Sequence, residues 1–171
     1  VQLATDSKGH PKKMTGVCRL EPKLDGVRTI AIAYRNGTVM LYSRNGKEFS
    51  NFPHIAEQIR ALAQKHSLQY DLVLDGEIVG TSFQELMKGA TKKDHVATDS
   101  DFHVFDIMNL AEFREGHCNR NQHNRLLALS TLVSMHGLPN IHLVDGFDVD
   151  LSNEAGHKTM TEYAEKCVLE G

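Results

Sequence analysis

No run of about 18 apolar residues occurs anywhere in the chain, so no membrane-spanning helix is expected. The first residues, Val1-Gln2-Leu3-Ala4-Thr5-Asp6, have no basic region followed by an apolar one, which argues against a signal peptide. They also lack an initiating methionine, and a processed or excised piece is expected. Cysteine is scarce: Cys18, Cys118 and Cys167 are odd in number, far apart, and never form a C-x-x-C pair. That excludes a disulfide framework and a cysteine zinc site, and implies free thiols in a reducing, cytoplasmic compartment. Histidines are more plentiful, yet His95, His103, His117 and His123 do not fall at the i, i+4 ligand spacing with a glutamate partner, so no structural metal is expected. There is no internal repeat and no low-complexity linker. A chain of 171 residues is then expected to be one domain, or most of one, with a sizeable core.

Positive charge is not in excess either. The net charge of −3 argues against a generic nucleic-acid binder. The average hides an asymmetry, because residues 1–50 carry nine Lys/Arg against four Asp/Glu, while the remainder carries ten against eighteen. A phosphate-rich partner on the basic side is one reading of this, and a solvated face is the other.

The basic half holds the stretch Glu21-Pro22-Lys23-Leu24-Asp25-Gly26-Val27-Arg28. Lys-x-Asp-Gly-x-Arg supplies what covalent nucleotidyl transfer needs. The lysine is a nucleophile, the glycine lets backbone approach a phosphate, and the arginine contacts ribose or phosphate. Taken alone, the stretch reads better as a surface Asp-Gly turn with solvated charges. Two further stretches, Leu74-Asp75-Gly76-Glu77 and Phe102-His103-Val104-Phe105-Asp106, favour the chemical reading.

In chain order, residues 5–16 read as an exposed loop and 16–20 as a short strand entering the lysine stretch. Residues 28–34 and 38–43 read as strands joined through Asn36-Gly37, because Asn-Gly supplies the positive φ a tight turn needs. A second Asn-Gly, Asn45-Gly46, ends the return strand. A helix is expected from Pro53 to His66, with Ile55, Ile59, Leu62 and Ala63 on one buried face. Residues 70–79 read as a strand with Val73, Asp75, Glu77 and Val79 on one face and Leu72, Leu74, Gly76 and Ile78 on the other. A buried carboxylate without a partner is costly. Asp75 and Glu77 therefore face a cleft, a cation or a hydrogen-bonding ligand, unless the strand is an edge with one wet face. Ser82–Gly89 has a capping-box pattern and reads as a short helix, and 92–101 as a polar loop. In the strand 102–109, alternation groups His103, Phe105 and Ile107 on one face, and Phe102, Val104 and Asp106 on the other. Phe105 is either core or a stacking platform for a base. Residues 120–136 form the longest helical candidate, with Leu126, Leu127, Leu129, Leu132, Val133 and Met135 on its apolar face and Gly137 ending it. A strand over 141–149 and a helix over 159–169 complete an α+β pattern.

A lysine nucleophile must lose its proton, and its ordinary pKa of about 10.4 opposes this at neutral pH. Partial burial or a neighbouring cation would help, and Arg28 and Arg44 are the local cations. The same arginines can stabilise charge on a phosphate. Asp75 and Glu77 can position a metal or hydrogen-bond a ribose hydroxyl.

Taken together, these stretches resemble the nucleotidyltransferase (adenylation) domain of ATP-dependent DNA ligases, particularly the compact bacteriophage type. The resemblance runs over nearly the whole chain. It rests on EPKLDGVR at 21–28, YSRNGKEF at 42–49, LDGEIV at 74–79 and FHVFDIMNL at 102–110, in order; Arg125-Leu126-Leu127 and the 164–171 segment resemble the helices before the family's fourth motif. The resemblance implies an ATP-grasp-like fold with largely antiparallel sheets and flanking helices. It implies that Lys23 attacks the α-phosphate of ATP, releases pyrophosphate and holds AMP as a phosphoramidate. It places Glu21 and Pro22 beside the adenine, Arg28 on ribose and later on nicked DNA, Arg44 on phosphate, Glu77 on ribose and the metal, and Phe105 on the adenine ring. AMP then passes to a DNA 5′-phosphate and a 3′-hydroxyl displaces it. Mg²⁺ follows from the need to neutralise a triphosphate. The implied partners are ATP and nicked double-stranded DNA, with no membrane and a monomeric state, in replication, repair and recombination.

The sequence departs from the family pattern in one respect. The fourth motif, the fifth (Lys-x-Lys) and the OB-fold domain that follows them are absent, and the chain is expected to adenylate itself poorly or not at all when alone. Two other readings stand beside the ligase. An mRNA capping guanylyltransferase shares the lysine stretch and the Asp-Gly-Glu strand but uses GTP. A non-catalytic nucleotide- or DNA-binding fragment would keep the residues without the chemistry.

Overall fold

The structure is a computed structural model that describes residues 14–65, 69–81, 86, 96–135 and 137–170. Its first hairpin pairs β2 (Val27–Ala33) with β3 (Val39–Ser43) antiparallel, from Ala33↔Val39 to Thr29↔Ser43. Gly37, at φ +86°, donates to the Tyr34 carbonyl at 2.9 Å while the Tyr34 N–H donates to the Thr38 carbonyl at 2.8 Å. That is a tight turn followed by a glycine bulge, and only the glycine takes the left-handed conformation. Asn45-Gly46 repeats the device, with Gly46 at φ +78°, and leads into the two-residue β4 (Glu48–Phe49). With β5 (Leu72–Gly80), β6 (Ser100–Asn109) and β7 (Ile141–Leu143), the six strands are ordered β4-β3-β2-β5-β6-β7. All neighbours are antiparallel except β6 and β7, which are parallel.

One face of this sheet carries the main core. Ala31, Leu41, Leu74, Ile78, Phe102 and Val104 pack with α1 (Pro53–Lys65) and α3 (Gln122–Ser134). The helical spacing in α1 is realised, because Ile55, Ile59, Leu62 and Ala63 are all 6% exposed or less. In α3, Leu129 and Leu132 are buried, but Leu127 and the C-cap Met135 are 62% and 67% exposed, so the buried stripe is narrower than the apolar composition suggests. Between β6 and α3, α2 (Leu110–Glu115) starts with a full capping box, in which Asn109 Oδ1 accepts the Glu112 N–H at 2.7 Å and Glu112 Oε2 accepts the Asn109 N–H at 3.0 Å.

Strand β5 has the expected two faces, with Leu74 and Ile78 in the main core and Val73 on the other side with Ile30, Ile32 and Leu110. Strand β6 does not. Asp75 pairs with Asp106 and Gly76 pairs with Val104, so Phe105 is an extra residue in a β-bulge. The bulge shifts the alternation by one. Phe102, Val104 and Ile107 are the buried core set, and Asp106 leaves the Phe102–Val104 face on which simple alternation places it.

Chain contacts gather into two compact units, Leu24–Leu143 and the pair Val1–Lys23 with Val144–Gly171. In the second unit β1 (Val17–Leu20) pairs antiparallel with β8 (Phe147–Asp150), followed by α4 (Glu154–Glu170). The strand expected over 141–149 is therefore two strands in two sheets. Asp145-Gly146 separates them, and Gly146 lies where a Cβ would come within 2.5 Å of the Leu20 carbonyl oxygen. The final helix begins at Glu154 rather than at 159, because Asn153 Oδ1 caps it by accepting the Gly156 N–H at 2.9 Å. At 17 residues it, and not the 120–136 segment, is the longer of the two. The expected helix over 82–89 lies outside the described residues, apart from the buried Leu86.

Candidate active site

The face of the six-stranded sheet opposite the main core brings charged residues into register. Arg28 on β2 is the cross-strand partner of Glu77 on β5, and Glu77 in turn partners His103 on β6. One step along, Ile30 partners Asp75, which partners Asp106. The Arg28 guanidinium grips Asp75 with both oxygens, Nε to Oδ1 at 3.0 Å and Nη2 to Oδ2 at 2.7 Å. Its Cζ also lies 5.2 Å from the centroid of the Phe105 ring, a cation–π distance. Alternation from His103 already places Phe105 on this face; the bulge adds Asp106 to it and sends Ile107 to the core.

Asp75 is 9% exposed. Burial pushes its carboxyl above the usual carboxylate range, and the Arg28 hydrogen bond and charge offset only part of the rise. The hydrogen bond to Asp75 is the main cause that holds the Arg28 guanidinium above its ordinary value. An ion pair alone would have lowered Asp75, so here desolvation outweighs pairing for the acid. The cation that a buried Asp75 requires is therefore Arg28 itself. Both oxygens of the carboxylate are engaged by that arginine.

Asp106, beside Asp75 across the strands, has its own fork. Arg125 on α3 donates Nε to Oδ1 at 2.7 Å and Nη2 to Oδ2 at 2.9 Å. Neither Asp106 nor Arg125 stood out in the sequence as a site residue. Only the fold makes Arg125 a partner of β6, nineteen positions back in sequence.

Gly26 is expected from the sequence to let backbone approach a phosphate; the structure gives it, and Gly76 likewise, a packing role. A Cβ on Gly26 would sit 2.3 Å from the Ile78 carbonyl oxygen and 2.8 Å from Glu77 Cγ. A Cβ on Gly76 would sit 2.4 Å from the His103 carbonyl oxygen and 2.6 Å from the Phe102 ring. Each glycine permits close approach of protein to protein, and Gly26 brings the loop after Lys23 against β5 at Glu77. Approach to a phosphate is not needed to explain either.

The structure thus unites Arg28, Glu77 and Phe105 on one unit. Arg44 belongs to the same unit but sits exposed in the turn between β3 and β4. Glu21, Pro22 and Lys23 belong to the other unit, on the segment that follows β1, where Lys23 is exposed. The Glu21 carboxylate accepts from Arg19 Nε at 2.8 Å. Among the described residues no group of three or more His, Cys, Asp or Glu side chains forms a metal cage.

Residues 2–171 match the family model of the ATP dependent DNA ligase domain, and the chain belongs to that family. The solved structure described as "Pmar-Lig_Pre." is 39% identical with a TM-score of 0.93, and the match covers 99% of this chain and 40% of that one. A second, "Pmar-Lig_PreS3", is 40% identical with a TM-score of 0.92 and the same coverage. The chain therefore spans 40% of the length of both. The ATP-dependent DNA ligase of bacteriophage T7, solved with ATP, shares the fold at a TM-score of 0.61 and 16% identity, over 85% of this chain and 52% of that one. No curated protein matches the sequence. Among the described residues no helix is long and apolar enough to cross a membrane.

Proposed function

We propose that residues 1–171 act as the adenylation domain of a DNA-sealing enzyme, with Lys23 as the nucleophile. The neutral Nζ of Lys23 attacks the α-phosphorus of ATP. A P–N bond forms, the bond to the β-phosphate oxygen breaks, pyrophosphate leaves, and the lysine proton passes to solvent. The 5′-phosphate of nicked double-stranded DNA then takes AMP from the lysine. A 3′-hydroxyl displaces AMP and closes the strand.

The observation that carries this reading is the convergence of Arg28, Glu77 and Phe105 on one sheet face, in a chain of the ATP-dependent ligase family. Phe105 offers an adenine a ring whose other side is held by Arg28. Glu77, half-buried and one residue pair from the Gly26 loop, is positioned to accept from a ribose hydroxyl. Arg44, exposed on its turn, suits a phosphate, and the resemblance to the ligases assigns Glu21 and Pro22, which precede the nucleophile in sequence, to the adenine. A single carboxylate such as Glu77, with the triphosphate supplying the other oxygens, fits the way Mg²⁺ is usually held. When bound, the ion would neutralise charge on the phosphates. The domain works as a monomer in this reading.

ATP labelled at the α-phosphate tests it. Label that survives denaturation, resists alkali, is lost in acid and is absent from Lys23→Ala supports the reading; label from GTP in preference to ATP favours a capping-type transferase. Equal nucleotide and DNA binding by parent and Lys23→Ala, with no adduct in either, would make the chain a binding module.

A further inference from the structure

Two carboxylates, Asp75 and Asp106, face each other across β5 and β6, and each is held by an arginine from a different element. Arg28, one of the two, lies in the proposed site. Arg125, the other, comes from the first turn of α3 and lies outside it. All three of its nitrogens are used: Nε and Nη2 on Asp106, and Nη1 on the Arg120 carbonyl at 2.7 Å. The side chains of the pair are only 17% and 20% exposed. The same Asp106 Oδ1 that receives Arg125 also accepts the Ile107 N–H at 2.8 Å. That N–H lies directly after the bulge, where the regular ladder is interrupted.

We propose that Arg125 is a positioning residue for the nucleotide site. Through Asp106 it pins the β6 bulge in which Phe105 is the unpaired residue, and it neutralises the carboxylate opposite Asp75 so that Arg28 stays forked on Asp75. This rests on the reading of Phe105 as the adenine platform. Two routes lead from Arg125 to the site. The first is geometric, because Phe105 is the unpaired residue of the bulge and its neighbour Asp106 is the bulge's anchor. The second is electrostatic, because the Asp106 charge makes ionised Asp75 harder to hold, and Arg125 is the cation that offsets it. Lysine cannot replace it, since an ammonium is a point charge and cannot grip both oxygens of Asp106 while reaching the Arg120 carbonyl.

The test uses 2-aminopurine riboside triphosphate without divalent metal, whose fluorescence is quenched on stacking, and amide exchange at Ile107. The parent chain, Arg125→Lys, Arg125→Ala, Phe105→Ala and the core variant Leu132→Ala are compared. The parent quenches the probe and Phe105→Ala does not. Arg125→Lys, which keeps the charge and the fold, binds about tenfold more weakly, the size of one base-stacking contact, and quenches less even at saturation. Leu132→Ala, which truncates the buried core and leaves Arg125 and Asp106 unaltered, keeps the parental quench. The Ile107 amide exchanges faster in both Arg125 variants than in the parent. Parental quench in Arg125→Lys, or loss of quench in step with melting temperature across all variants including Leu132→Ala, overturns the proposal. If the parent itself gives no quench, the Phe105 platform is refuted instead, and the clamp then stands or falls on the Ile107 exchange, which unchanged would overturn it.

Discussion

Replacing Gly26 by alanine separates two explanations of the Lys-x-Asp-Gly sequence. If the glycine served only to let backbone reach a phosphate, the folded protein would tolerate a methyl group and lose activity alone. The structure says otherwise, since the new Cβ would lie 2.3 Å from the Ile78 carbonyl oxygen, 3.0 Å from its carbon and 2.8 Å from Glu77 Cγ. Ordinary carbon–oxygen contact is near 3.4 Å, so the loop or β5 must move by about an ångström. The Glu77 side chain can swing aside, but the Ile78 carbonyl belongs to the central sheet, and Ile78 is fully buried. Overpacking against such a wall costs about 1–3 kcal/mol. In a chain of this size each kcal/mol lowers the midpoint by about 2–4 °C. Differential scanning calorimetry on parent and Gly26→Ala should therefore show a clear drop in the midpoint, together with weaker nucleotide binding as Glu77 is displaced. An unchanged melting curve with lost adenylation would refute the close-approach account and restore the phosphate-approach one.

Three further outcomes are expected. Phe105→Ala should weaken ATP binding by about 1–3 kcal/mol, the usual worth of a base stacked on an aromatic ring, measured by calorimetric titration; parental affinity would remove Phe105 from the site. Asp75 has a folded pKa above its ordinary 3.8, so the stability it contributes is fully present below that pH and is lost as pH rises through the raised value. A Tm-against-pH series should accordingly show that Asp75→Asn flattens this fall on the acid side, and a steeper fall in the variant would contradict the burial argument. Gly76→Ala should also destabilise, because its Cβ meets the His103 carbonyl and the fully buried Phe102 ring; urea denaturation with an unshifted midpoint would count against that packing.

Local signals were read correctly where the physics is local. The two Asn-Gly turns, the buried stripe of α1 and the alternation of β5 depend on residues a few positions apart, and the structure shows all three. What stayed hidden depends on pairing between distant segments. The β6 bulge exists because β5 and β6 shift register between Asp75 and Gly76, and neither strand alone encodes that. The same is true of the Asp145-Gly146 break, which follows from β8 leaving to pair with β1. In the candidate site, Arg28, Glu77 and Phe105 could be named from the sequence as types at a given spacing, and the structure places them on one sheet face. That Asp75 is spent on Arg28, and that Arg125 reaches Asp106, became visible only once the sheet placed them side by side.

The central claim is that Lys23 carries the AMP. Incubation with ATP labelled at the α-phosphate and Mg²⁺, followed by proteolysis and mass spectrometry of every labelled peptide, tests it most directly. Whatever the yield, the account predicts one adduct, an AMP on the Nζ of Lys23, that disappears in Lys23→Ala and is returned to ATP by pyrophosphate. An AMP mapped to any other residue, or undiminished labelling of Lys23→Ala, would contradict it.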